Sequence, residues 1–199
     1  MDSPLFEKAL VESVADHDDL VSIYGAPQAA IVDKVSTLIN DDTAVFISSS
    51  PLIFMSTHSR SGRCDVTPRG GAPGFVKQLD ETVLAIPDVP GNRRLDSMHN
   101  ILTTGRAGLF FVIPGRADGL RTNGRACVTR DAEILARFDP EPREVKVAIL
   151  IDVDEVFVHC SAAFSRGNVW NPDQWPTTDS VPTMMQLWKS HLRDNGVGE

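Results

Sequence analysis

Along the first forty residues the apolar positions keep a helical beat. Leu5, Ala9, Leu10 and Val14 recur at helical spacing, and Pro27 opens a second stretch through Ile31, Val35 and Leu38. The Asn-Asp-Asp run at 40–42 predicts the stop of that helix. The pattern then changes to short apolar runs separated by turn residues: TAVFISSS (43–50), PLIFMST (51–57), RCDVTPR (63–69), FVKQLD (75–80) and TVLAIPD (82–88). A helix is predicted from Asn92 to Thr104, with Leu95, Met98, His99 and Leu102 along one face. Three further strand-like runs follow, AGLFFVIP (107–114), GLRTNGRACVTR (119–130) and VKVAILIDVDEVFVHC (145–160), with a short helix, DAEILARF (131–138), between the last two.

Residues 108–113 and 147–151 are apolar on both faces, as strands buried against other elements are. Strands this numerous, short and close together predict a small barrel, which removes exposed sheet edges by closing on itself. The expected fold class is therefore mostly β with helical additions (α+β). One domain is expected, with N-terminal helices over 1–40, a barrel core over 41–165, and an irregular tail with a final helix near 182–193 over 166–199.

Composition narrows the picture. A hydrophobic content of 42% with 23% charged residues is that of a folded globular chain rather than a disordered one. No apolar run approaches the roughly 20 residues needed to span a bilayer. The N-terminus has neither the basic nor the apolar region of an export signal, so a cytoplasmic location is expected. Cys64, Cys127 and Cys160 are odd in number and widely spaced, which suits buried reduced thiols. They and His159 lack the spacing of a metal site, so no metal is expected. Ser48, Ser49 and Ser50 lack the surroundings of a hydrolase nucleophile.

The net charge of −8 argues against nucleic acid or a membrane surface as partner. Residues 60–130 nevertheless hold ten Arg and one Lys against six Asp or Glu, a local charge of +5. A basic middle in an acidic chain points to a small anionic ligand. Arg93 and Arg94 fall where the first turn of the helix is expected, a position that ordinarily favours Asp or Glu. With a phosphate present the arrangement is favourable, because a helix start and two guanidiniums converge on the anion. The alternative is that the arginines point outward or pair with Asp88 and Asp96. Arg69 ends a strand just before a glycine-rich loop, Thr67 adds a hydroxyl, and Pro68 fits an edge strand or the lining of a groove.

The order of these pieces resembles the flavin-nucleotide-binding split β-barrels related to pyridoxamine 5'-phosphate oxidase, closest to their uncharacterised FMN-binding branch. DVTPRGGAPGFV, LAIPDVPGNRRLDSMHNI and GLRTNGRA carry the resemblance, which covers roughly residues 40–170. It implies FMN, or a deazaflavin in its place, in a groove between the two barrels of a homodimer. It further implies that Asp65, Val66, Thr67, Pro68 and Arg69 line the flavin, together with Ile86 and Pro87 at the end of the next strand. Asn92, Arg93 and Arg94 are implied as the phosphate grip, and Arg121 stands on a strand beside the cofactor. Trp170 and Trp175 could cover the partner's flavin or pack the dimer.

The implied function is a flavin-dependent oxidoreductase acting on a small redox substrate, with no catalytic residue assigned. The alternative is a non-enzymatic flavin-binding or redox-sensing protein. Two departures limit the match. Pro68-Arg69-Gly70 stands where the oxidases carry an Arg and a Lys, and the tail lacks their Arg-x-His substrate grip. The resemblance therefore does not extend to pyridoxamine phosphate as substrate.

Overall fold

The computed structural model describes residues 3–89, 91–139, 144–160 and 162–197. Three short helices come first: α1 (Pro4–Val11), α2 (His17–Tyr24) and α3 (Ala29–Asp33). A fourth, α4 (Asp41–Ser49), precedes the strands β1 (Leu52–His58), β2 (Cys64–Gly70), β3 (Lys77–Gln78) and β4 (Val83–Asp88). Then come α5 (Asp96–Thr104), β5 (Arg106–Val112), β6 (Asp118–Thr129), α6 (Ala132–Leu135) and β7 (Val147–Cys160). The chain ends with α7 (Ala162–Arg166) and α8 (Met184–Asp194).

All seven strands belong to one antiparallel sheet in the order β2-β1-β5-β6-β7-β4-β3. Alternation along the strands sends Ile53 and Met55 of β1, Leu109 and Phe111 of β5, Leu84 and Ile86 of β4, and Ile149 and Ile151 of β7 into one core. Ile47 of α4 and Ile101 of α5 plug that core from outside the sheet. Phe138, just after α6, packs with Ala85 and Ala148 in a smaller cluster. Between β6 and β7 the register slips at Asn123/Gly124, leaving Asp154 as the extra residue of a β-bulge. Gly124 is required there, because a Cβ would lie 2.1 Å from the Asp152 carbonyl oxygen.

Several expectations need correction. Residues 43–49 are helix, not strand. Asn40 Oδ1 accepts the Thr43 N–H at 3.0 Å, and Asp41 and Asp42 occupy the first turn, so the Asn-Asp-Asp run starts a helix rather than stopping one. The predicted strand at 75–80 shrinks to two residues because Phe75 and Val76 are buried in the core as the chain crosses it. The helix predicted from Asn92 begins at Asp96, for a reason given below. The three cysteines are free, as expected, but exposed rather than buried.

The sheet does not close through ladder hydrogen bonds, since β2 and β3 stand at opposite ends of the order. It curls instead until the end of β2 meets the end of β4. That seam is the split in the barrel.

Candidate functional site at the barrel seam

β2 is an edge strand whose residues alternate. Asp65, Thr67 and Arg69 turn inward and are half-buried, while Cys64, Val66 and Pro68 are exposed. Arg69 Nη1 donates to Asp88 Oδ1 at 2.5 Å, with the two side chains 19% and 20% exposed. This pair joins the first strand of the sheet order to the sixth and closes the seam electrostatically. Arg69 Nε is buried and has no hydrogen-bond partner among the described residues. An unpaired buried N–H on a cation is an unspent donor, and leaving one costs roughly 1–3 kcal/mol. Pro68, Arg69, Gly71, Phe75, Pro87 and Val89 line a recess of about 240 Å³ at this point.

A second tie lies at the other end of β2. Ser97 Oγ, on the first turn of α5, donates to Asp65 Oδ2 at 2.7 Å. Asn100 Nδ2 donates to Thr57 Oγ1 at 3.0 Å, and that hydroxyl in turn reaches Asp65 Oδ2 at 3.4 Å. The residues leading from Asp88 to Asp96 therefore bridge two ties on the same strand. Asn92, Arg93 and Arg94 lie on the connection between these two ties and are exposed, with Arg94 near enough to Asp65 to feel its charge. Pro90, expected in the turn before them, lies outside the described residues.

The local conformation explains why the helix starts late. Asn92 Oδ1 accepts the Arg94 N–H at 3.0 Å, an Asx turn. Arg93 has φ of 64°, a left-handed conformation that costs a non-glycine residue roughly 1–3 kcal/mol and cannot continue a helix. Arg94 Nε donates to Asp96 Oδ2. That bond, and then the charge of Asp96, raise the Arg94 pKa above the ordinary guanidinium value. Asp96 is the first residue of α5, so the acid stands where the helix dipole favours it and the arginines precede it. Of the two carboxylates considered as partners for the arginine pair, Asp96 takes Arg94, but Asp88 takes Arg69.

The remaining candidate residues divide. Pro87 lines the recess, whereas the Ile86 side chain is wholly buried in the core. Arg121 stands on β6, three strands from β2 in the sheet order. Its guanidinium carbon lies 5.1 Å from the Phe157 ring centroid. Within one chain it is not brought to the seam. Trp170 Nε1 donates to the Arg116 carbonyl at 2.7 Å and its ring meets Phe164, which fixes the start of the tail against the β5–β6 turn. Trp175 is 56% exposed.

A larger groove of about 600 Å³ lies on the outer sheet face; of the residues lining it, only Asp65 and Val66 are among those expected from the sequence. Its floor is a row of cross-strand neighbours, Val66, Ser56, Gly108, Asn123 and Glu155. Asn123 Nδ2 donates to Glu155 Oε1 at 2.7 Å. Gly108 keeps the floor open, because a Cβ there would lie 2.7 Å from Asn123 Oδ1 and 2.8 Å from Ser56 Oγ. His58 ends β1 on the rim of this groove. Among the described residues no group of three potential ligands could hold a metal ion, and no helix is long and apolar enough to cross a membrane.

Comparison with known proteins agrees with this architecture. No curated protein matches the sequence. Among solved structures, HupZ of Group A Streptococcus superposes with a TM-score of 0.52 at 17% identity, covering 62% of this chain and 95% of its own. A putative pyridoxamine 5'-phosphate oxidase from Lactobacillus delbrueckii gives 0.48 at 16% identity, over 61% of this chain and 95% of its own. An FMN-binding protein from Syntrophomonas wolfei gives 0.42 at 15% identity, over 77% and 96%. The streptococcal likeness, at such identity, speaks for the fold alone. The family model of pyridoxamine 5'-phosphate oxidase matches residues 39–160, from just before the α4 cap to the last residue of β7. With more than half of its length in that match, the chain belongs to the pyridoxamine 5'-phosphate oxidase family.

Proposed function

We propose that the protein binds FMN at the barrel seam and acts, as a homodimer, as an oxidoreductase on a small molecule. The observation that carries this reading is the exposed basic segment Asn92–Arg94 on the connection between two ties to β2, with the unspent buried donor of Arg69 at the first of those ties. A phosphate monoester fits that set: it is a compact dianion with several acceptor oxygens, and guanidiniums meet such groups with charge-assisted bonds. The left-handed Arg93 is local strain of the kind ligand clamps hold.

Arg69, Arg93 and Arg94 would hold the phosphate, with Thr67 offering a hydroxyl. Asn92 sets the turn that presents the two loop arginines. Asp65, Thr67 and the edge backbone of β2 would lie along the flavin, with Val66 and Pro68 on the outer side of the strand. Ile86 would contribute backbone and Pro87 a rigid wall. Arg121, remote from the seam in its own chain, is assigned to the flavin of the second subunit. FMN supplies electron or hydride transfer when bound, so the protein needs to contribute binding, orientation and access rather than an acid–base pair. A deazaflavin coenzyme is the alternative occupant.

The first test is the absorbance spectrum of the purified protein before and after FMN is added. Flavin bands that travel with the protein, and are lost in an Arg93→Ala, Arg94→Ala double variant, support the site. A protein that stays colourless with FMN rejects it. Oxidation of NADH or NADPH faster than with free FMN then separates an enzyme from a passive flavin carrier.

A further inference from the structure

Helices α1, α2, α3 and α8 lie outside the family domain and contain no buried residue. They span 8, 8, 5 and 11 residues, shorter than the roughly 12–15 at which an isolated helix becomes even marginal in water. Their sequences nonetheless encode helices. α1 has Pro in its first turn, α2 has the Asp16 cap, and α8 has a full capping box between Thr183 and Gln186. Each also carries large apolar side chains left in solvent, among them Leu5, Phe6, Ile23, Tyr24, Met184 and Trp188. Helices with good caps and uncovered apolar faces need something to cover them.

We propose that these terminal arms clasp a second copy of the chain. Accessible area supports that occupant. One chain exposes 14244 Å², against about 9,200 Å² for a compact monomer of its 21.7 kDa mass. That excess of about 5,000 Å² per chain exceeds the roughly 1,000–2,500 Å² that each partner contributes to an obligate homodimer interface of about 2,000–5,000 Å² in total, so the arms hold ample surface for one.

Charge supports it as well. Residues 1–38 carry seven Asp or Glu against two Lys, a net −5, and the arms' target must tolerate that. Residues 60–130 carry +5, or +3 once Arg106 and Arg125 are set against their partners Asp154 and Asp152 outside that stretch, so an acidic arm of one copy still meets a net basic middle on the other. An anionic membrane surface would repel the same arm. The arm is anchored where it leaves the barrel: Ser36 exchanges backbone hydrogen bonds with Val156 at 2.9 and 2.7 Å. Upstream of that bridge it is free to cross to a neighbour. This deepens the dimeric part of the proposed function and does not rest on the flavin.

The test is sedimentation equilibrium of the full chain and of two full-length variants, Leu5→Glu/Phe6→Glu and Leu187→Glu/Trp188→Glu. None of these side chains packs on the core, so the barrel of each variant should fold normally, as circular dichroism of its strands would confirm. The inference expects a dimer for the unaltered chain and a dissociation constant raised at least about 100-fold in each variant. A dimer unaffected by either variant overturns the clasp while leaving the dimer of the proposed function standing. An unaltered chain that sediments as a monomer at micromolar concentration overturns both.

Discussion

Arg69→Met, Asp88→Asn and the double variant test whether the seam is held by the ion pair. Two unit charges about 4 Å apart attract by about 4 kcal/mol at an effective dielectric near 20. Partial desolvation and the ordering of two side chains offset much of that, leaving a net contribution of about 1–2 kcal/mol. Arg69→Met keeps the apolar stem but leaves Asp88, which is only 20% exposed, without its ion-pair partner. That change should cost about 2–3 kcal/mol. Asp88→Asn retains an acceptor for the Arg69 N–H and should cost about 1 kcal/mol.

The double variant should cost less than the sum of the singles, with a coupling of about 1–2 kcal/mol. Urea denaturation followed by circular dichroism measures each value. With a slope of about 2 kcal/mol per molar urea, Arg69→Met should lower the midpoint by about 1 M. Strictly additive singles, or an Arg69→Met midpoint no lower than that of the exposed Arg130→Met, would refute the reasoning.

Three further outcomes are expected. Gly124→Ala should destabilise the chain by about 2–3 kcal/mol, since its Cβ would meet the Asp152 backbone at 2.1 Å and neither strand of the bulge can yield cheaply; a thermal midpoint equal to that of the unaltered chain contradicts this. Asn40→Ala removes the α4 cap and should cost about 1 kcal/mol by urea denaturation. Asp80 is held below its ordinary value of 3.8, chiefly by the Thr82 backbone N–H. Its contribution is therefore complete above that value and disappears as pH falls through the lower folded value, so Asp80→Asn should flatten the acid limb of the stability profile.

Much of the fold could be read from the chain because its strands are either alternating or apolar throughout. Runs 52–58, 106–112 and 147–160 need no tertiary information to be recognised. Residues 43–50 misled because Thr43, Val45 and Ile47 are β-branched and strand-like, whereas the decisive signal was the cap at Asn40 with two acids behind it. A strong local cap outweighed weak propensity. The start of α5 depended on one residue, Arg93, whose left-handed backbone no periodicity announces.

The basic residues of the candidate site were legible as types and spacings. Their partners were not. Arg69 and Asp88 are 19 positions apart and meet only because the sheet curls through six strands. The outer groove over Gly108 is equally nonlocal, being built from one residue on each of five strands.

The central claim is that the seam grips the phosphate of a flavin nucleotide, and the most direct test compares FMN with riboflavin. The two share the ring system and differ by the phosphate. Titrating each against the protein and following the quenching of flavin fluorescence gives the two dissociation constants. The account predicts that FMN binds at least about 100-fold more tightly than riboflavin, as two or more Arg–phosphate bonds require. It also predicts that Arg93→Ala, Arg94→Ala removes most of that difference while leaving riboflavin unchanged. Equal affinity for FMN and riboflavin in the unaltered protein would contradict it.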